Sequence, residues 1–344
     1  MTSTCFMIQT KLERGGGFLA KHPEPAPGYY GSEPPPIMEQ TDWPCQYFDF
    51  SKSDLPNRPG VDYFNCALVD RPDGRFLIVR RSEWRQDMMY GMNDVVAFEL
   101  DGVTPTKGKP ILMPAYHRDE HFEDPRAIQI GDKTYISCCN FVWAPRYSGA
   151  HQMVGVVNGD WTVKQRFDPI YGGNGVDCYR NSRSEKNWLW FVHDGLPHLI
   201  YLSQPLQIAM FDQGFRLIRH YQTAALTWQY GEIRGGTPPV RIGDEYWTFF
   251  HSSVPWLVRG TRRYHMGAYS FQAKPPFKMT RITKLPLLSG SPYDRYDHPK
   301  PLVVFPCGAL YRGGQWLVSF GVNDLSSAYI RIPHADLVEL TVTK

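Results

Sequence analysis

One pattern recurs five times along the chain: two short runs of alternating apolar and polar residues flank a turn that contains glycine. The five copies occupy residues 66–80, 127–139, 188–202, 238–252 and 308–321. Short alternating runs around a glycine turn are typical of β-hairpins. The segments between them show no convincing helical periodicity, and small sheets repeated in this way predict radial repetition. The expected fold is therefore all-β, a five-bladed β-propeller, with a two-sheet β-sandwich as the structural alternative.

The length and composition fit one large domain preceded by an arm. The chain has 344 residues, of which 42% are hydrophobic and 21% are charged, and this balance is typical of a folded globular protein. Residues 1–60 are rich in proline and glycine and do not predict regular structure by themselves. We expect them to form an N-terminal arm anchored by Trp43, Tyr47 and Phe48, and residues 61–344 to form the propeller.

Charge, hydropathy and cysteine spacing argue against several classes of protein. The formal charge is +3 and there is no run of Lys and Arg, which argues against nucleic-acid binding. No run approaches about eighteen apolar residues, so no membrane span is predicted, and the N-terminus lacks the apolar core of a secretory signal. The 7 cysteines are scattered without a CxxC pair, which favours a reducing compartment. We expect a cytoplasmic protein with no nucleic-acid or membrane partner, and a homo-oligomer is left open.

Every predicted hairpin is flanked by charged, amide or imidazole side chains, and proline or glycine accompanies them at two of the hairpins. They are Arg80 and Arg81 after the first, Glu123, Asp124, Pro125 and Arg126 before the second, Glu185, Lys186 and Asn187 before the third, Glu232, Arg234, Gly235 and Gly236 before the fourth and His251 at its end, and Asn323 and Asp324 after the fifth. Because the inner strands of a propeller converge on its axis, we expect these side chains to line one axial pocket. Acids, cations and a histidine in one pocket indicate a catalytic site with an anion-binding part.

Each residue also has an ordinary interpretation when it is taken alone. Arg80 and Arg81 alternate across a strand, so only one of them can face the axis. Lys186 could form a surface ion pair, which stabilises a protein by about 0 to 1 kcal/mol. His251 could be a buried core histidine, and Asp324 could cap a turn. The adjacent acids before the second hairpin are the strongest signal, because a proline follows them and they have no helix to cap.

The segment HRDEH, residues 117–121, matches the HxxEH pattern of some zinc proteases. That chemistry needs both histidines on one face of a helix. Here the motif lies between a loop that contains Pro114 and the entrance to a hairpin, and no amphipathic helix is readable. We therefore predict no metal site.

Several segments carry a resemblance to a known family when they are taken in order. They are EDPR (123–126), SEKNW (184–188), GGTPPV (235–240), YHMGAYSF (264–271), FPCGALY (305–311) and FGVND (320–324). The series resembles glycoside hydrolase family 130, the mannoside phosphorylases and their hydrolytic relatives, which are five-bladed propellers. The resemblance extends over residues 62–344.

The resemblance implies an inverting phosphorylase that acts on a β-mannoside, a small carbohydrate substrate, with inorganic phosphate as co-substrate and no other cofactor. Asp124 matches the general acid, which protonates the leaving oxygen by way of a sugar hydroxyl. Arg80 or Arg81, Lys186 and His251 match a phosphate clamp. A guanidinium, an ammonium and an imidazolium are suited to hold a phosphate dianion beside an acid. Substrate-binding roles fall to Asn65, Glu123, Arg126, Asn187, Arg234, Tyr264 and Asp324.

Other functions of the same fold stay open. The chain departs from the family in having His121 and Phe122 before the acid pair, where small residues are common. An inverting hydrolase would need a carboxylate base, for which Glu185 and Glu232 are the candidates. Related propellers transfer mannose from a nucleotide sugar, and a third alternative is a propeller that binds carbohydrate without catalysis.

Overall fold

The computed structural model describes residues 37–39, 43–56, 58–83, 92–115, 120–144, 147–169, 185–255, 262–290 and 302–343. Two short strands come first, β1 (Ile37–Glu39) and β2 (Gln46–Tyr47), and a 3₁₀ turn (Phe50–Lys52) follows. The rest of the described chain is almost entirely antiparallel sheet, apart from one six-residue helix near its end, α1 (His334–Glu339).

The strands form five sheets that follow one another in the sequence. The first sheet contains β3 (Val61–Arg71), β4 (Gly74–Glu83), β5 (Met92–Asp101) and β6 (Thr104–Pro110), and the second contains β7 (Glu120–Ile130), β8 (Lys133–Ala144), β9 (Tyr147–Val157) and β10 (Val163–Phe167). The third contains β11 (Leu189–His193), β12 (Leu196–Ser203), β13 (Leu206–Phe211) and β14 (Leu217–Thr223). The fourth contains β15 (Val240–Ile242), β16 (Glu245–Pro255), β17 (Arg262–Gln272), β18 (Met279–Thr283) and β19 (Leu288–Gly290). The fifth contains β20 (Val304–Arg312), β21 (Gln315–Val322) and β22 (Ser326–Pro333).

These sheets are the blades of a five-bladed β-propeller, which confirms the predicted fold. Each of the five hairpins expected from the sequence is the inner pair of strands of one blade. The alternative of a two-sheet sandwich is wrong, because the five sheets do not merge into two.

Both ends of the described chain complete blades that other segments began. Strand β2 pairs with β22 and becomes the outermost strand of blade five, while β1 pairs with β19 in blade four. A final strand, β23 (Thr341–Thr343), pairs with β18 of blade four. Trp43 and Tyr47 pack against the core between blades four and five, and Phe48 is buried. The division of the chain at residue 60 stays a prediction.

The hydrophobic core lies in the seams between neighbouring blades. Five clusters of buried side chains fill the five seams, represented in order round the ring by Ile78 with Ile136, Tyr135 with Trp190, Phe191 with Phe271, Phe249 with Trp316, and Leu317 with Leu77. The last pair joins blade five to blade one and closes the ring. Because each blade buries one face against each neighbour, both faces of its strands carry apolar residues.

The inner strands carry a backbone irregularity at the end that points to the site. Asn65 in β3 and Asp124 in β7 both have φ of 51°, and at each of them the pairing with the next strand shifts register. Asn187, just before β11, has φ of 63°. Asn and Asp tolerate this left-handed conformation better than most residues, and a bulge changes the direction of the side chain that it carries. The side chains of Asn65 and Asp124 meet across two blades as a result, with Nδ2 of Asn65 at 2.7 Å from Oδ1 of Asp124.

Among the helices of the described residues, none has the length and apolar character needed to cross a membrane.

A buried ion network ties the outer strand of blade two to its inner strand. Arg166 in β10 donates to Oε2 of Glu120 at 2.8 Å, to Oδ1 of Asp168 at 2.7 Å and to the carbonyl oxygen of Pro114 at 2.6 Å. The side chains of Arg166 and Glu120 are 2% and 1% exposed. Removal of one partner from such a pair leaves a buried charge uncompensated.

We therefore expect Arg166→Met to lower the free energy of unfolding by about 3 to 5 kcal/mol. Methionine keeps most of the buried side-chain volume, so the loss would report the uncompensated Glu120 carboxylate. The matched control is Arg216→Ala, because Arg216 pairs with Asp212 at the surface with 85% of its side chain exposed, and such pairs contribute about 0 to 1 kcal/mol. Denaturant unfolding of both variants checks this, and equal losses in the two would contradict it.

Candidate active site

The centre of the candidate site is the carboxylate of Asp124 on the inner strand of blade two. Asp124 is 8% exposed, and its Oδ1 accepts hydrogen bonds from Nδ2 of Asn65 at 2.7 Å and from Nη1 of Arg80 at 3.2 Å. Its backbone carbonyl oxygen accepts a hydrogen bond from Nη1 of Arg126 at 2.8 Å. The acid is therefore held by side chains of blades one and two through both its carboxylate and its backbone.

The charges around Asp124 keep it ionised. Burial by itself opposes ionisation, but the positive charges of Arg80, Lys186 and Arg126 and the hydrogen bond from Asn65 outweigh it and lower the pKa of Asp124 to about 2. Opposite charges nearby favour the charged form of a carboxyl group. At neutral pH Asp124 is thus an anion.

The neighbouring acid, Glu123, bridges two cations that come from different blades. Its Oε1 lies 2.9 Å from Nη2 of Arg80 in blade one, and its Oε2 lies 3.4 Å from Nζ of Lys186, which precedes blade three. Asn93 in β5 completes the arrangement, because it donates to Oε1 of Glu123 at 3.3 Å and accepts from Nε of Arg80 at 3.0 Å. The acid pair and the two cations form one connected network.

Arg126 is buried and donates hydrogen bonds to backbone carbonyl oxygens. It is 2% exposed, and its Nε donates to the carbonyl oxygen of Gly236 at 2.8 Å while its guanidinium lies 5.5 Å from the ring centre of Phe305. It thereby connects blade two with the segment before blade four and with blade five. These bonds to backbone carbonyl oxygens hold the segment that carries the acid pair, and the role of Arg126 in substrate binding stays a prediction.

Arg80 and Arg81 point to opposite faces of β4. Arg80 contacts both acids of the pair, whereas Arg81 donates through Nε to Oδ1 of Asp94 at 2.9 Å on the other face. Of the two alternatives, Arg80 is the one beside the acid pair, because side chains alternate along a strand. The role of Arg80 in phosphate binding stays a prediction.

His251 is buried beside the site and is uncharged. It is 2% exposed, and its ring centre lies 4.4 Å from that of Phe305 and 5.8 Å from that of Tyr264. Burial, followed by the positive charges of Arg234 and Arg126, lowers its pKa to about 3. At neutral pH the ring is therefore neutral and not the expected imidazolium, and the role of His251 in phosphate binding stays a prediction.

The other predicted residues divide between the axis and the mouth of the site. Asp324 (φ 52°) lies near Arg80; burial would lower the pKa of that guanidinium, but the charges of Glu123, Asp124 and Asp324 outweigh burial and raise it. Arg234 and Glu232 pair at 3.3 Å with 42% and 62% of their side chains exposed. Tyr264 is half-buried next to His251.

Asn187 and Glu185 flank Lys186. The carbonyl oxygen of Asn187 would lie 2.0 Å from a Cβ atom at Gly235, so glycine is required for this close approach. Glu185 accepts hydrogen bonds from Nε1 of Trp188 at 3.2 Å and from the hydroxyl of Tyr201 at 3.1 Å. Its two carboxylate oxygens are thus bonded to side chains of blade three.

The sequence did not single out Asn93. A lone asparagine within a strand carries no signal of its own, and its contacts with Arg80 and Glu123 depend on the pairing of β5 with β4.

Among the described residues there is no group of three or more His, Cys, Asp or Glu side chains arranged to hold a metal ion. Part of the HRDEH segment lies outside the described residues, and its last two residues, Glu120 and His121, belong to strand β7. This end of the segment is therefore strand and not helix, and the first histidine of the motif, His117, lies outside the described residues.

Comparison with known proteins identifies a family for the C-terminal part of the chain. Residues 181–343 match the model of the family Glyco_hydro_130, described as beta-1,4-mannooligosaccharide phosphorylase. This region contains Lys186, His251 and Asp324 but not Asp124. No curated protein matches the sequence.

Solved structures of mannoside-processing enzymes share the fold at low sequence identity. A beta-1,2-mannobiose phosphorylase from Listeria innocua is 16% identical and aligns over 86% of this chain and 98% of its own, with a TM-score of 0.60. A mannose phosphorylase from Leishmania mexicana, solved with a phosphate ion, is 15% identical over 87% of this chain and 92% of its own, with a TM-score of 0.54. A GDP-Man-dependent mannosyltransferase from the same organism is 12% identical over 86% of this chain and 91% of its own, with a TM-score of 0.56.

The structural matches establish the propeller fold, and the family match extends over residues 181–343. The resemblance to glycoside hydrolase family 130 that the ordered segments predicted is therefore confirmed over residues 181–343.

Proposed function

We propose that this protein is an enzyme of glycoside hydrolase family 130, an inverting phosphorylase that cleaves a β-mannoside with inorganic phosphate and uses no other cofactor. The observation that carries the proposal is the position of the ionised, buried Asp124 beside Arg80 and Lys186 where three blades meet. The match of residues 181–343 to a family described by a phosphorylase activity supports it.

In the proposed reaction an oxygen of phosphate attacks the anomeric carbon on the face opposite the leaving sugar. The bond between that carbon and the glycosidic oxygen breaks, and the proton on Asp124 reaches the leaving oxygen by way of a sugar hydroxyl. The products are α-mannose 1-phosphate and the shortened sugar. An acid of this kind typically accelerates a reaction by about 10² to 10⁴.

The low pKa of Asp124 makes proton uptake part of this mechanism. A carboxylate with a pKa of about 2 carries no proton at neutral pH, so it must gain one before it can act as an acid. A phosphate dianion next to Arg80 and Lys186 offsets their positive charge and adds negative charge beside Asp124, and both effects raise the pKa of a carboxyl group. The arrival of the co-substrate would therefore prepare the acid.

The hydrolytic alternative has less support from the geometry. Glu185 is bonded to Trp188 and Tyr201, and Glu232 pairs with Arg234 at the mouth of the site. A base in an inverting hydrolase must hold a water on the face of the sugar opposite the acid. Lys186, in contrast, contacts Glu123 in the network around Asp124.

We place the protein in the cytoplasm. The five cysteines among the described residues, Cys45, Cys66, Cys138, Cys139 and Cys307, are free thiols, and unpaired cysteines are typical of a reducing compartment.

We expect Asp124→Asn to lower turnover by about 10² to 10⁴, because asparagine keeps the shape of the side chain but cannot deliver the proton. Release of mannose 1-phosphate from β-mannobiose in the presence of phosphate measures the loss. The matched control is Asp94→Asn, a change of the same kind at the residue of β5 that pairs with Arg81. This variant should keep near-normal turnover. Near-normal turnover of Asp124→Asn would refute the assignment, and free mannose as the only product of the wild type would show a hydrolase.

Phosphate should stabilise the folded protein against heat. A ligand that binds only the folded state adds about 2.7 kcal/mol at a hundredfold excess over its dissociation constant, so millimolar phosphate should raise the melting temperature. The rise should disappear in Lys186→Ala, because that variant lacks the cation of the clamp that is 41% exposed to the entering ligand. The mannoside is tested in parallel with phosphate. If phosphate does not raise the melting temperature of the wild type, a hydrolase or a transferase is favoured.

A further inference from the structure

The cations that are candidates for phosphate binding already hold an anion in this structure. The carboxylate of Glu123 lies between Nη2 of Arg80 (2.9 Å) and Nζ of Lys186 (3.4 Å), with one oxygen directed to each. Asn93 donates a third hydrogen bond to it at 3.3 Å. Two oxygens of one planar anion that bridge a guanidinium and an ammonium reproduce the contacts that two oxygens of a phosphate group would make.

The described groups around the axis carry equal numbers of positive and negative charges. The positive groups are Arg80, Arg126 and Lys186, and the negative groups are Glu123, Asp124 and Asp324. Arg234 and Glu232 at the mouth neutralise each other, and His251 is neutral. A phosphate dianion added to these described groups without any rearrangement would give them an excess of negative charge beside the buried Asp124, which is unfavourable.

The two acids of the pair differ in how they are held. Asp124 is held at two points, because Asn65 donates a hydrogen bond to its carboxylate and Arg126 donates one to its backbone carbonyl oxygen. Glu123 has a longer side chain, and its contacts with Arg80, Lys186 and Asn93 are made by the end of that chain. Rotation about its side-chain bonds can move its carboxylate without moving the backbone of β7 or the neighbouring Asp124.

We propose that the carboxylate of Glu123 occupies the anion site between Arg80 and Lys186, and that a phosphate group binds there by displacing it. The inference rests on the proposed function for the identity of that group, because inorganic phosphate and the phosphate of a sugar phosphate share the chemistry that these cations recognise. Glu123 thus sets the affinity of the site for anions. It keeps Arg80 and Lys186 paired until the co-substrate arrives, and its displacement removes one negative charge from the neighbourhood of Asp124.

The test is the affinity of Glu123→Gln for inorganic phosphate, measured by isothermal titration calorimetry next to the wild type. Glutamine keeps the shape of the side chain but does not compete as an anion, so the dissociation constant should fall at least tenfold. The matched control, Asp94→Asn, removes a negative charge from the neighbouring strand face that pairs with Arg81, and it should leave the dissociation constant unchanged. The double variant Glu123→Gln with Lys186→Ala should lose the gain.

Two further titrations make the result specific. Glu123→Asp keeps the charge but is too short to bridge both cations, so its affinity for phosphate should lie between those of the wild type and Glu123→Gln; it also provides the test if the glutamine variant does not fold. Mannose 1-phosphate in place of phosphate shows which source of the phosphate group gains affinity, and β-mannobiose, which has no anionic group, should bind all variants equally well.

Equal or weaker phosphate binding by Glu123→Gln would overturn the inference. So would weaker binding of β-mannobiose without a gain for phosphate, because Glu123 would then be a ligand of the sugar. These outcomes are independent of the reaction type. A wild type that releases free mannose while Glu123→Gln gains affinity for phosphate would refute the phosphorylase and keep the inference.

Discussion

The constraint on which the rest of the site depends is that the carboxylate of Asp124 is removed from water and yet ionised. A buried charge is tolerated when opposite charges and hydrogen bonds replace the lost hydration. Here the replacements come from Asn65 and Arg80 in blade one, Arg126 in blade two and Lys186 before blade three. Because no single blade can supply them, the acid is stable in this form only when blades one and two and the segment that leads into blade three are packed together.

Backbone geometry makes these meetings possible. The left-handed bulges at Asn65 and Asp124 bring two polar side chains together at the axis, where a regular strand would alternate them between the two seams. Glycines then allow the blades to approach closely. A Cβ atom at Gly321 of blade five would lie 1.8 Å from Oδ1 of Asn65, and one at Gly235 would lie 2.0 Å from the carbonyl oxygen of Asn187. The precision of the site thus depends on residues that carry no reactive group.

Local sequence patterns predicted the inner hairpins and the acid pair. They failed for the charge of a histidine, which depends on the residues that surround it in the fold. The glycine turns and the alternation of apolar residues predicted all five inner hairpins. The acid pair before Pro125 was recognisable because it had no ordinary structural use. His251 was expected to be charged, but burial and the field of Arg234 and Arg126 make it neutral. Such a field is a sum over residues distant in the sequence, so no segment of the chain reports it.

The sequence by itself determined the number of blades, the place of the acid pair and the resemblance to a family of mannoside enzymes. These follow from local periodicity, from turn residues and from the order of short segments. The tertiary structure decided which of Arg80 and Arg81 faces the axis, that Arg126 supports the site from within, and that Glu123 bridges Arg80 and Lys186. The reason is that strand faces and charge pairs are set by packing between blades. Closure of the ring brings together residues that are far apart in the chain.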